Sequence, residues 1–107
     1  MPNTRFLQAP LHVVAGPTVS WIEPPARGCA LAHDQLYVVA DSTAGLQSVV
    51  FRDGKRLIGS DTGGRRGIYS KAWRTSGLKH GLHRLTATVL DNKGRRATAV
   101  RAIRVCG

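Results

Sequence analysis

The chain has little acid, few aromatics and no helical patterning, and each shortage narrows what it can be. Six Asp and Glu face sixteen Lys and Arg, for a formal charge of +10. Such a surface repels cations and attracts polyanions. Twelve of the sixteen basic residues are Arg, whose planar fork binds carboxylate or phosphate bidentately. With only two Trp, two Tyr and two Phe, the core has to be mostly aliphatic. No apolar run approaches the ~20 residues of a membrane-spanning helix. Residues 2–17 lack the basic start and long apolar stretch of a secretion signal. No segment carries the repeat of an amphipathic helix.

What is present is β patterning over the length of one domain. A chain of 107 residues buries roughly 60–70% of the surface it exposes unfolded, enough for a single two-layer core. Residues 1–17 contain Pro2, Pro10, Gly16 and Pro17 and read as a linker or edge segment; the domain proper is 18–107. Strands are expected at 18–23, 35–41, 46–53, 55–60, 68–75, 82–91 and 96–105. Alternation gives the core: Leu36 and Val38, Val49 and Phe51, Tyr69 and Trp73, then Leu85, Ala87, Val89 and Ile103. Two residues break the parity. Lys71 shares the face of Tyr69 and Trp73, which suits an edge strand whose ammonium reaches water. Arg101 shares the face of Ile103, which a bulge near Val100 would explain. Asp53-Gly54 signals a two-residue hairpin with positive φ at both turn positions. Residues 61–67 read as an exposed loop, with 63–67 a flexible hairpin tip. Seven strands with turns every 8 to 12 residues mark a sandwich or barrel.

The ordered run Val49, Phe51, Asp53-Gly54-Lys55, Ile58-Gly59-Ser60-Asp61, Tyr69-Ser70, Trp73-Arg74-Thr75, Gly81, His83, Leu85, Ala87, Asp91 and Gly94 resembles a bacterial Ig-like domain, over residues 18–105. The resemblance implies an all-β, immunoglobulin-like antiparallel β-sandwich of about seven strands. One departure is the single Arg52 between Phe51 and Asp53, shorter than the usual spacer, which bears on local register. Such domains occur as repeats in secreted and cell-surface bacterial proteins and as C-terminal appendages of enzymes. The ending 101–106 is similar to the tail of some bacterial short-chain dehydrogenases. That implies an oxidoreductase parent and a cytoplasmic setting. The function expected is a non-catalytic structural or interaction module, an accessory domain whose partner is a neighbouring domain of a larger bacterial protein.

Candidate chemistry is sparse. His12, His33, His80 and His83 are scattered, and with Cys29 and Cys106 they lack the paired spacing of a zinc site. No metal or other cofactor is expected. Asp41 and Asp91 stand at turns with too few oxygen ligands for calcium. Ser70, His83 and Asp91 could be written as a triad, yet a sandwich would spread them apart, and no nucleophile elbow exists. His83 has a structural reading: it stands where a sandwich Tyr bonds back to upstream backbone, and an imidazole can do the same. The segment 63–67 is glycine-rich and basic but no helix follows, so it is not a P-loop.

The alternative function is polyanion binding, to nucleic acid or acidic polysaccharide. Arg52, Lys55, Arg56, Arg65 and Arg66 are the candidate anion-binding patch, with Lys93, Arg95 and Arg96 a second cluster. Against nucleic acid, the basic segments lack stacking aromatics and a groove-reading helix. The two cysteines, Cys29 and Cys106, are expected to form a disulfide. In an Ig-like sandwich the loop after the first strand and the end of the last strand lie at the same end, within bridging reach. A disulfide points to an extracellular or cell-surface setting.

Overall fold

The computed structural model describes residues 16–106, so the linker expected at 1–17 falls largely outside the described residues. Seven strands follow in order: β1 (Thr18–Glu23), β2 (His33–Asp41), β3 (Leu46–Asp53), β4 (Arg56–Asp61), β5 (Ile68–Arg74), β6 (Gly81–Asp91) and β7 (Arg96–Val105). They form two antiparallel sheets, β1-β2-β5 and β4-β3-β6-β7, packed face to face as an Ig-like sandwich. No helix occurs among the described residues.

The period-2 alternation turns one side of each strand inward. Leu36, Val38 and Ala40 enter the core from β2, Val49 and Phe51 from β3, Tyr69 and Trp73 from β5. Leu85, Ala87 and Val89 enter from β6, and Ile103 and Val105 from β7. Phe51, Leu36 and Leu85 are fully buried, each worth about 1.5–3 kcal/mol against exposure. Trp21 of β1 meets Phe51 edge-on, ring centroids 5.9 Å apart.

The edges settle the parity breaks. β5 is an edge strand, and the stem of Lys71 lies over Gly59 of β4, where any side chain would collide with it. The bulge expected near Val100 is not there. The β6–β7 register runs unbroken from Gly81↔Val105 to Leu90↔Arg96. Arg101 keeps its inward parity because β1 laps across β7: its guanidinium donates to the Trp21 carbonyl at 3.4 Å, and Trp21 Nε1–H donates to the Ala99 carbonyl at 3.1 Å. The register shift at Arg52 is real, falling between Phe51 and Arg52 in the β3–β4 pairing. It accommodates the short spacer.

One turn differs from expectation. The β3–β4 turn is Gly54-Lys55, flanked by the pair Asp53↔Arg56, and only Gly54 has positive φ. Asp53 remains in the strand with its carboxylate free for other work. The exposed loop 61–67, read with a hairpin tip at 63–67, does end in a tight hairpin. Arg65 and Ile68 exchange both backbone hydrogen bonds, at 3.1 and 3.0 Å. Arg66 and Gly67 between them take φ of 56° and 79°, the left-handed pair of a type I′ turn.

Candidate functional site

Each end of the sandwich is closed by a polar network. At the end where β6 finishes, the fully buried Asp91 accepts hydrogen bonds from Ser42 Oγ (2.9 Å), the Lys93 and Arg95 backbone N–H groups (2.9 and 2.8 Å) and Arg95 Nε (2.8 Å). Burial alone would push its carboxyl up. The donors outweigh that and hold it at about 2. Asn92 ties the same two turns together through the carbonyls of Ala44 and Gly45. The similar strand-to-turn segments 39–45 and 89–94 thus meet in space, and Arg95 is tied to Asp91 through its Nε while its side chain stays partly exposed.

At the opposite end, His83 Nδ1 faces the Asp53 carboxylate at 2.6 Å and Nε2 faces the Lys79 carbonyl oxygen at 2.6 Å. Both neighbours are acceptors, so the imidazolium, with two donors, satisfies the pocket. The bond to the Lys79 carbonyl raises the His83 pKa; burial opposes it, and Asp53 adds to the rise. The upstream-backbone bond matches the geometry argued for His83, whereas the Asp53 partner was not foreseen. With both nitrogens engaged, His83 has none left to activate a nucleophile. Ser70, on β5, and Asp91, at the far end of β6, join no catalytic set with it.

The disulfide is present. Cys29 and Cys106 are joined, Cα atoms 5.7 Å apart across a sequence separation of 77. The chain after β1 runs alongside β7, with a parallel bridge at Cys29↔Arg104 and Ala30 N–H donating to the Arg104 carbonyl at 2.8 Å. That ladder brings the sulfurs together. Among the described residues, no three His, Cys, Asp or Glu side chains converge on a metal position.

The candidate anion-binding residues do not share one surface. Arg56 opens β4, while Arg65 and Arg66 follow its far end; the six-residue strand separates them by roughly 17–20 Å. Arg65 and Arg66 rim the outer face of the three-stranded sheet, beside Tyr37, Ile68 and Ser70 in an open depression of about 700 Å³. Arg56 faces the opening between β4 and β5, beside Trp73 and Leu78. Arg52 alone stands on the outer face of the four-stranded sheet.

That outer face is the surface the sequence reading missed. Arg52 pairs with Thr86, Arg84 with Ala102 and Leu82 with Arg104. Arg52, Arg84 and Arg104 therefore form one diagonal across β3, β6 and β7, each one strand over and two residues along, with steps of roughly 7–8 Å. All three are exposed. Thr86, Thr88 and Thr98 lie alongside, Thr88 and Thr98 sharing a 3.0 Å hydrogen bond. None of the six acids in the chain is on this face: Asp53 and Asp91 are engaged as above, Asp61 turns to the Ser70 N–H, and Glu23, Asp34 and Asp41 belong to the other sheet. At such spacing two guanidiniums repel by only about 0.5 kcal/mol in water, so the array is easily tolerated. Its signal was hidden because the three residues are 20 to 52 positions apart in sequence and meet only through strand register.

Leu57, Leu82 and Val100 are exposed on the same face beside the arginines. The outer face of the three-stranded sheet also carries exposed apolar residues. Val39 and Ile68 are direct cross-strand partners, each 42% exposed, with Tyr37 and Ile22 exposed beside them.

No family model matches the sequence, and no curated protein matches it. Solved structures do. The fibronectin(III)-like modules of Clostridium thermocellum CbhA superpose with a TM-score of 0.66 at 26% identity, over 83% of this chain and 46% of theirs. The endo-beta-1,4-mannanase of Thermotoga petrophila gives 0.73 at 13% identity, over 88% of this chain and 20% of that one. The PKD1 domain of Vibrio anguillarum Epp gives 0.56 at 18% identity, over 84% and 93%. This chain thus spans less than half of the first two. Its fold is an Ig-like β-sandwich similar to fibronectin(III)-like and PKD modules.

Proposed function

We propose that this domain is a non-catalytic accessory module of a larger bacterial protein and that it docks a neighbouring domain on its three-stranded sheet. The observation that carries the reading is the exposed apolar cluster Ile22, Tyr37, Val39 and Ile68 on that face. Isolated exposed apolar residues are ordinary, but a contiguous set rimmed by polar groups marks a contact surface. Arg65 and Arg66 supply the rim. Support also comes from the engaged state of His83, which leaves no free base in the His83–Asp53 pair. The disulfide favours an oxidising compartment and so a secreted or surface-exposed parent. An oxidoreductase parent rests on the resemblance of residues 101–106 alone, and the disulfide argues against its cytoplasmic setting.

The test is Val39→Glu with Ile68→Glu in the parent protein, followed by calorimetry and limited proteolysis. The module's transition is expected to separate from that of its neighbour, and the junction is expected to be cleaved faster. Unchanged coupling and cleavage, with the variant folded, would refute docking through this face.

A further inference from the structure

We infer that the outer face of the four-stranded sheet binds an acidic polysaccharide, an extended glycan bearing carboxylates. The inference is independent of the docking reading, because it uses the opposite side of the sandwich.

Three observations carry it. The first is charge: Arg52, Arg84 and Arg104 are exposed, no acid shares their face, and none of their guanidiniums bonds to another described residue. An unpaired Arg fork is built to take a carboxylate through two parallel hydrogen bonds. The second is regularity. The pairing register sets the three on one diagonal with equal steps of roughly 7–8 Å. A straight, evenly spaced row suits a repeating polymer better than the irregular surface of a folded protein. The third is the lining. Thr86 sits beside Arg52, with Thr88 and Thr98 one row beyond it and Leu82 and Val100 exposed along the diagonal; the threonine hydroxyls both donate and accept, the complement of sugar hydroxyls.

Nucleic acid fits this face less well. Sequence-tolerant binding of single strands uses aromatic platforms, and Trp21, Phe51 and Trp73 point into the core, while Tyr37 lies on the other sheet. Among the described residues there is also no helix to enter a groove. The position of Arg104 is held firmly: its carbonyl accepts from Ala30, and the disulfide lies two residues on.

The experiment is titration of the 107-residue chain with polygalacturonate at low salt, with neutral mannan and single-stranded poly(dT) as comparisons. Binding is expected to polygalacturonate, to weaken as salt rises, and to exceed that to poly(dT) at equal charge concentration. Each of Arg52→Ser, Arg84→Ser and Arg104→Ser is expected to weaken it about 2- to 5-fold, and the triple variant roughly 10- to 100-fold. Arg65→Ser with Arg66→Ser, and Val39→Glu with Ile68→Glu, are expected to leave the arginine dependence intact. The inference is overturned if the triple variant, folded by circular dichroism, binds like the parent chain. It is also overturned if no polygalacturonate binding occurs at low salt, or if poly(dT) binds as tightly.

Discussion

Breaking the Cys29–Cys106 bond will remove a large share of the domain's stability, and the size of that loss follows from the covalent loop. A separation of 77 residues corresponds, in the loop-closure model, to about 4.5 kcal/mol at 25 °C. A domain of this length has only about 5–15 kcal/mol in total. The loss is expected to lower the melting temperature by roughly 15–30 °C. Both cysteines are exposed, so replacing them with serine removes little packing and isolates the cross-link. The assay is urea denaturation of the oxidised chain, the chain reduced with a phosphine, and the double variant Cys29→Ser with Cys106→Ser. The reduced and serine forms should agree with each other. The oxidised form should also show the shallower slope, because its cross-linked unfolded state exposes less surface. A difference below about 1 kcal/mol would refute the reasoning, since the effect would then be nowhere near a 77-residue loop.

Further outcomes follow from single sites. His83 has a raised pKa in the fold, so its contribution is complete below its unfolded value of 6.5 and disappears as pH rises through the folded one; the urea midpoint should fall as pH rises above 6.5, and His83→Gln should flatten that slope. Asp91 is depressed to about 2, so its contribution holds above 3.8 and is lost as pH falls toward 2; acid titration of Asp91→Asn should lack this phase. Gly64→Ala would drive a methyl into the ring of Tyr69 and should cost about 1–3 kcal/mol in the same assay. Arg66→Asn should stabilise by about 0.5–1 kcal/mol, because Asn tolerates the φ of 56° that Arg66 must adopt.

Most of the fold was readable because strand alternation is a local signal. The runs through Leu36, Phe51 and Leu85 state which side faces inward without reference to any other strand, and the ten residues read as core are all buried. The disulfide was readable for a different reason: it needed only the end at which β1 and β7 finish. Arg101 misled because a charge at core parity implies a bulge only if nothing covers it, and the overlap of β1 on β7 is a tertiary fact. The turn at Gly54 was placed one residue early because Asp-Gly is a signal for turn chemistry, while the flanking pair depends on register with β4. The basic surface was the least legible. Nearness along the chain grouped Arg52 with Lys55 and Arg56, but alternation and the β4 strand disperse them, and pairing assembles Arg52 with Arg84 and Arg104 instead.

The same covalent ring changes how the domain would bear tension. Thr18 starts β1 at one end of the sandwich, and Cys106 follows β7 at the other, so a pull applied at these two points runs along the strands. The bond to Cys29 carries the load from Cys106 directly to the chain just beyond β1. Strands β2 to β7 then lie inside a closed loop that no axial force can unravel. Only the residues ahead of Cys29 can lengthen, to about 40 Å of extended chain, whereas the reduced domain would stretch to about 300 Å. Oxidised, the module is a stiff link of nearly constant reach; reduced, it becomes a long extensible tether.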